Sequence, residues 1–270
     1  MSDPDRGRLG LYVGVLLAAA VLLIAAARAL SVSTIALAPV YMFSPLVAGL
    51  IVCLRHGVSV REVGLRIGRP RWLLAAPVAA LGLVGVALAL SLAVPGIGFD
   101  GAADPVPWLG LPAGPVGVAG ALAVAVALGA TLNAVFAFGE EFGWRGYLLW
   151  ELAPLGFWRA SLAIGALWGV WHAPVIAAGY NYPSFPLVGV GVMTVACIAL
   201  SPVYTYLTVR AESVIAAAVL HGVFNGSAGF VLVYAATDDP VLAELVANPV
   251  GAAGIAAAGL AAVVIAVRGA

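Results

Sequence analysis

The chain has 270 residues, of which 64% are hydrophobic and only 9% carry a charge. Soluble domains contain roughly 25% charged residues, so this composition excludes an ordinary soluble fold and predicts a protein embedded in membrane lipid. The formal net charge of +0 leaves no basic surplus to neutralise phosphates, so no nucleic-acid partner is expected.

Apolar stretches of about 20 residues recur along the chain, and each is long enough to cross a bilayer as a helix. The first is longer than the core of a signal peptide and is predicted to be retained. Both cysteines lie inside such stretches and are predicted to be small core residues. The sequence therefore predicts an all-α, polytopic bundle of about eight transmembrane helices, forming one domain over residues 1–270. The predicted spans are 9–30, 35–54, 72–94, 116–138, 158–178, 187–209, 214–236 and 249–267.

Alternate connections share the charged residues unequally. All 12 basic residues are arginines, and all except Arg28 fall at the two chain ends or after spans two, four and six. The intervening loops carry Asp and Glu but no arginine. The positive-inside rule then puts both termini in the cytoplasm of a multi-pass protein of the cell membrane. The arginine-rich segment 55–72 is expected either to lie on the headgroup surface or to form a solvated loop.

Several polar residues fall inside the apolar stretches. A buried ionisable group costs at least ~2.5 kcal/mol on insertion scales, so its presence in a span indicates function. Glu140 and His172 are equally far from Gly156, in the predicted turn between spans four and five, so we expect them at matching depth. His221 lies roughly 12 to 15 Å into span seven, at a similar level below the cytoplasmic surface.

Residues four apart on a helix share one face. This spacing joins Glu141 to Arg145, which we expect to form an internal ion pair that holds the helix end. It also places His221 and Asn225 on one face of span seven. The three spans therefore bring two carboxylates, two imidazoles, an amide and a guanidinium to one zone.

This set of groups suits two kinds of chemistry. A buried carboxylate can take a proton from water as a general base, with a neutral imidazole sharing that proton. A second imidazole and an amide N–H can stabilise an oxyanion on a peptide carbonyl. Alternatively, Glu140, His172 and His221 could hold Zn²⁺ with an open position for water.

At these residues the chain resembles the CPBP family, also called the ABI family, of intramembrane endopeptidases, which includes the type II CAAX prenyl endopeptidases. The family pattern is Glu-Glu-x-x-x-Arg, then Phe-x-x-x-His, then His-x-x-x-Asn, on successive core helices. The chain has Trp168 where the family has Phe. The matching segments are Glu140-Glu141-Phe142-Gly143-Trp144-Arg145, Trp168-Gly169-Val170-Trp171-His172 and His221-Gly222-Val223-Phe224-Asn225.

The resemblance implies a family core of about residues 116–236 and a hydrophobic or lipidated peptide substrate, cleaved near the cytoplasmic face. It implies that Glu140 and His172 activate the catalytic water and that His221 and Asn225 bind the oxyanion. Family members are commonly labelled metalloproteases, yet a glutamate-activated water needs no metal, so the zinc alternative stays open.

Two other functions use the same residues. A proton-coupled transporter or relay would need a continuous polar path to the outer side, whereas the outer halves of spans four, five and seven are apolar. A non-catalytic membrane protein, such as an immunity or scaffold protein, could be built on the same core.

Overall fold

A computed structural model gives the fold of residues 3–112 and 114–269. Over these ranges most residues are helical, and β1 (Gly98–Phe99) pairs antiparallel with β2 (Ala235–Ala236). The α-helices described are α1 (Arg6–Ala29), α2 (Ala38–Tyr41), α3 (Ser44–His56), α4 (Pro70–Leu92), α5 (Pro115–Leu128), α6 (Ala134–Glu141), α7 (Leu149–Leu152), α8 (Phe157–Trp171), α9 (Ala173–Ile176), α10 (Pro186–Ala211), α11 (Val214–Tyr234) and α12 (Ala252–Arg268). Tighter 3₁₀ turns lie at Thr34–Leu37, Pro107–Leu109 and Ala153–Leu155, and wider π turns at Gly129–Asn133, Phe142–Leu148 and Val241–Ala247.

Seven helical stretches in the described ranges are long and apolar enough to cross a membrane. This finding confirms the predicted all-α, polytopic membrane fold. The predicted span 158–178 differs from the others, because its main helix α8 has 15 residues and ends before a turn at His172. The seven stretches are Arg6–Ala29, Thr34–His56, Pro70–Leu92, Pro115–Leu155, Pro186–Ala211, Val214–Tyr234 and Val241–Arg268.

The end of α8 has a local cause. Pro174 follows His172 by two residues, and a proline lacks the amide donor of a helix and clashes with the carbonyl four residues earlier. The chain turns at His172 and resumes as the four-residue helix α9. Because each residue adds ~1.5 Å, α8 rises roughly 22 Å, which is less than the roughly 30 Å of a hydrocarbon core.

Contacts between connecting segments define one end of the bundle, which we call the basic end. There Arg8 forms an ion pair with Glu151 (2.8 Å), and the Val214 N–H donates to the Gly64 carbonyl (3.0 Å). Residues 57–69 form turns rather than a surface helix. The basic end comprises residues 5–8, 56–70, 151–157 and 211–214.

The remaining connections meet at the other end of the bundle, which we call the acidic end. The Tyr41 hydroxyl donates to the Trp171 carbonyl (3.0 Å), and the Tyr182 hydroxyl donates to the Val250 carbonyl (2.8 Å). The seven stretches and the shorter α8 together cross between the two ends eight times. The first and the last described residues both lie on the side of the basic end. The assignment of that end to the cytoplasm remains a prediction. The acidic end comprises residues 30–43, 93–112, 172–185 and 235–251.

Small residues allow the central helices to approach closely. A Cβ added to Gly129 would lie 2.6 Å from Val223 Cα, and one added to Gly165 would lie 2.7 Å from the Cys197 carbonyl oxygen. Such backbone approaches are typical of membrane proteins. In lipid no hydrophobic driving force holds helices together, and small residues let them pack closely enough for van der Waals attraction to do so. Cys53 and Cys197 are both free and buried, which confirms their predicted role as core residues.

Candidate active site

Glu140 lies at the end of α6 with only 2% of its surface exposed. A Cβ on Gly139 would lie 2.8 Å from Phe43 Cδ1, so glycine at this position lets α6 pack against the segment before α3. Trp168 of α8 donates its indole N–H to Glu140 Oε2 at 2.7 Å. The other carboxylate oxygen has no hydrogen bond to the described residues, which leaves Oε1 as the oxygen that can accept from a water.

Glu141 links α6 to α11. Arg145 Nη1 donates to both oxygens of this carboxylate, at 3.2 and 3.1 Å, so the ion pair expected from the spacing is present. His221 Nδ1 lies 2.8 Å from Glu141 Oε1, a contact that the sequence did not indicate. All three side chains are buried. The arginine is carried on the π turn Phe142–Leu148, a widened helical form that is frequent at functional sites.

Aromatic rings enclose the guanidinium of Arg145. Its Cζ lies 4.5 Å from the ring centroid of Trp168 and 4.7 Å from that of Tyr204. Its Nε and Nη2 have no hydrogen-bond partner among the described residues. Cation–π attraction, worth about 2 kcal/mol in desolvated sites, therefore supplements the ion pair with Glu141. Trp168 contacts both Arg145 and Glu140 and so connects the buried cation to the candidate base.

The hydrogen bond of His172 fixes which ring nitrogen carries the proton. His172 Nδ1 lies 2.9 Å from the Trp168 carbonyl oxygen, and a carbonyl can only accept. Nδ1 is therefore the donor, and Nε2 of the neutral ring has a free lone pair. This arrangement lets His172 accept a hydrogen bond from a water.

His221 has a different partner and hence a different role. Its Nδ1 faces the carboxylate of Glu141, which accepts when ionised. With the proton on Nδ1, Nε2 can donate only when the ring is an imidazolium, for which Glu141 is the counter-ion. The ring also packs edge-on against Trp168 and Tyr204, at centroid distances of 5.5 and 5.6 Å. These contacts hold its orientation.

The four residues predicted to act on the substrate line one cavity of about 270 Å³. No hydrogen bond joins Glu140 to His172, or His221 to Asn225, in the described parts of the chain. Asn225 is exposed, whereas Glu140 and His221 are buried. Glu141 does not line the cavity and supports it from behind through His221. The four cavity residues are Glu140, His172, His221 and Asn225.

Metal binding requires ligands that are grouped around one point. Within residues 3–112 and 114–269, no three His, Cys, Asp or Glu side chains form such a group. The arrangement of Glu140, His172 and His221 therefore does not fit the zinc site considered from the sequence. Instead, Glu140 accepts a hydrogen bond from Trp168. His221 lies against Glu141, its counter-ion.

Comparison with protein families assigns the part of the chain that carries this site. Residues 112–227 match the family described as type II CAAX prenyl endopeptidase Rce1-like. The match confirms the resemblance of this segment to the type II CAAX prenyl endopeptidases, which are a family of proteases. The match includes the whole cavity set from Glu140 to Asn225 and overlaps the core predicted at 116–236. A comparison with curated proteins found no match.

Two cavity residues were not predicted as part of the site. Trp168 was noted only as an aromatic replacement for Phe, yet its N–H is the donor to Glu140. Tyr204 of α10 is fully buried, lines the cavity and packs on both Arg145 and His221. The indole N–H was a usable signal, because a buried Trp usually finds an acceptor. Nothing in the spacing of Tyr204 indicated its position.

Replacing Trp168 with Phe, the residue of the family pattern, is expected to lower kcat about 10- to 100-fold with little change in KM. Hydrogen bonds to charged groups contribute about 1.5–3 kcal/mol, and each 1.36 kcal/mol changes a rate tenfold. The ring would remain to pack against Arg145, but Oε2 of Glu140 would lose its donor. Steady-state kinetics on a cleaved peptide would measure the two constants.

Trp144→Phe is the matched control for this variant. Trp144 is also fully buried, but its indole nitrogen has no hydrogen-bond partner among the described residues. It should lose packing without an equivalent loss of kcat. Equal kcat losses in the two variants would show that the Trp168 N–H has no specific part in the reaction.

Proposed function

We propose that the chain is an intramembrane endopeptidase that hydrolyses a peptide bond of a hydrophobic or lipidated substrate in the cell membrane. The observation that carries this proposal is the shared cavity of Glu140, His172, His221 and Asn225. It combines a carboxylate with a free oxygen, an imidazole that can accept from water and two groups that can donate to an oxyanion. These are the parts required for general-base hydrolysis of an amide.

In the first step a water is held between Glu140 and His172. Glu140 takes one of its protons, and the water oxygen bonds to the carbonyl carbon of the peptide. The carbonyl π electrons move to the carbonyl oxygen, which becomes an oxyanion. Trp168 supports this step because its N–H keeps Oε2 in place while Oε1 accepts the proton.

In the second step the tetrahedral intermediate collapses. His221 Nε2, as part of an imidazolium, and the Asn225 amide donate to the oxyanion, and oriented donors of this kind can each contribute about 3 kcal/mol. The C–N bond breaks as the carbonyl re-forms. The leaving amine receives the proton that Glu140 took from water, so the carboxylate is restored and no step passes through a metal.

The decisive experiment is an assay of the purified, detergent-solubilised protein on a panel of internally quenched peptides. Each peptide would be supplied with and without a C-terminal prenyl group, and no metal would be added. Cleavage of any member, mapped by mass spectrometry to one bond, is the expected result. A preference for the prenylated version would identify the lipid group as part of the substrate.

A chelator arm separates the two hydrolytic schemes. Retained cleavage with chelator is expected from a water activated by Glu140 and His172, whereas loss of cleavage that returns with Zn²⁺ would contradict this scheme. Absence of cleavage across the panel, together with proton movement in reconstituted vesicles, would favour the relay instead. Absence of both activities would favour the scaffold function.

A further inference from the structure

A turn after α9 contributes two polar side chains to the cavity that holds Glu140. We call it the Tyr180 turn, and it comprises residues 177–182. Tyr180 and Asn181 both line the cavity, together with the four residues that the proposed function uses. No hydrogen bond joins the Tyr180 hydroxyl or the Asn181 side-chain amide to any residue in 3–112 or 114–269. Both groups are therefore available to a ligand that occupies the cavity.

The other polar side chains of the cavity have partners or roles already. The Tyr41 hydroxyl donates to the Trp171 carbonyl (3.0 Å), and the Trp171 indole N–H donates to a hydroxyl of α3 (3.0 Å). Trp168 donates to Glu140, and the Tyr204 hydroxyl is buried. The proposed function assigns the remaining groups to the water and the oxyanion. The Tyr180 turn thus supplies the hydrogen-bonding side chains of the described cavity that have no other use.

The backbone of the Tyr180 turn is fixed on both sides of these two side chains. Gly179 has a φ of +97° and Asn181 a φ of +62°, values that glycine and asparagine adopt more readily than other residues. The Tyr182 N–H donates to the Tyr180 carbonyl (2.8 Å), and the Asn248 amide donates to the Asn181 carbonyl (2.9 Å). A turn that is ordered before binding loses little conformational entropy when a ligand is bound.

The Tyr180 hydroxyl lies within electrostatic range of the candidate base. Desolvation and, in second place, the carboxylate of Glu140 raise the pKa of Tyr180. The hydroxyl therefore keeps its proton at neutral pH and can both donate and accept a hydrogen bond.

A peptide backbone is the ligand chemistry that these groups match. Each residue of a peptide carries one N–H donor and one C=O acceptor. Much of the cavity lining is apolar, including Ile35, Val175 and Leu200, and a backbone group that enters such surroundings without a partner is costly to desolvate. A hydroxyl and an amide, which both donate and accept, can pair with either kind of backbone group.

We propose that Tyr180 and Asn181 are substrate-binding residues, whose side chains hydrogen-bond the backbone of the peptide substrate beside the scissile bond. This inference deepens the proposed function and rests on it for the bond that is cleaved. Binding of a peptide to the Tyr180 turn can be measured without cleavage. Because the contact is made equally in the ground state and the transition state, it lowers KM and leaves kcat unchanged.

Equilibrium binding tests the inference in the absence of turnover. Fluorescent versions of the panel peptides would be titrated with detergent-solubilised Glu140→Gln protein, and fluorescence anisotropy would give Kd. Adding Tyr180→Phe removes only the hydroxyl and should raise Kd about 2- to 12-fold, the range expected for a neutral hydrogen bond. Asn181→Gly keeps the positive φ while removing the amide, and it should raise Kd by a similar factor.

Tyr206→Phe is the matched control for Tyr180→Phe. Tyr206 packs against Trp72 near the basic end of α10 and does not line the cavity, so the same chemical change is made elsewhere. Its Kd should equal that of the parent protein. In the protein that keeps Glu140, Tyr180→Phe should raise KM without lowering kcat, whereas Tyr206→Phe should change neither constant.

Ester-substituted peptides distinguish a direct contact from a structural effect of the variant. Replacing one backbone amide of the peptide with an ester removes its N–H donor and weakens its carbonyl acceptor. At the bond that contacts Tyr180, the ester and Tyr180→Phe together should weaken binding no more than the larger single change does. At other bonds the two effects should add.

Three outcomes would overturn the inference: an unchanged Kd for Tyr180→Phe, additive effects at every ester position, or no binding of any peptide. The proposed function fails in a different way. If peptides bind through the Tyr180 turn but the wild-type protein cleaves none of them, the protease proposal is contradicted and the binding role of the turn stands.

Discussion

Replacing Glu140 with Gln is expected to reduce kcat by about 10³-fold or more while the protein remains folded. General-base catalysis contributes about 10²- to 10⁴-fold, and an amide cannot take the proton of the attacking water. Gln has the shape of Glu, and its amide oxygen can still accept from the Trp168 N–H, so the contact at 2.7 Å can persist. Peptide cleavage and thermal unfolding in the same detergent would measure both properties.

Glu62→Gln is the matched control for this prediction. Glu62 lies in the connection after α3 and is exposed, so the same chemical change is made away from the cavity. We expect wild-type kcat for this variant. A Glu140→Gln protein that keeps more than a tenth of wild-type activity would rule out Glu140 as the catalytic base and would redirect attention to His172.

The sequence predicted the elements more completely than their mutual orientation. Apolar stretches were sufficient to locate the spans, because a helix must satisfy its own backbone in lipid. The short α8 was harder to predict, since it is apolar from Leu162 to Trp171 and only Pro174 marks the break. Residue counting also placed Glu140, His172 and His221 at a similar depth, and the structure brings them to one cavity.

The contacts inside the site depend on how each helix is rotated about its axis. In helices that are apolar all round, no hydrophobic face specifies that rotation. The contact of Glu141 with His221 and that of Trp168 with Glu140 were therefore not predictable from spacing. The lining of the cavity is a further example. Ile35, Val175 and Val250 lie within predicted spans, but in the structure they belong to short helices and turns between the long helices.

Breaking the buried ion pair is the second large effect. Arg145→Met is expected to destabilise the folded protein by about 3–5 kcal/mol, since it leaves the buried carboxylate of Glu141 without the two hydrogen bonds from the guanidinium. Both side chains have zero exposure, and the lost guanidinium also contacts two aromatic rings. Thermal unfolding in detergent would report the loss as a lower Tm.

Two further variants distinguish the cost of an unpaired charge from the loss of packing. The double variant Glu141→Gln, Arg145→Met removes the buried carboxylate together with the guanidinium, and His221, without its counter-ion, becomes neutral. Much of the lost stability should therefore return, while kcat should stay low. Arg66→Met removes an exposed arginine that pairs with Glu212 at 3.8 Å, where about 1 kcal/mol or less is expected. If the double variant were as unstable as Arg145→Met alone, packing of the guanidinium against Trp168 and Tyr204, rather than charge pairing, would account for the stability.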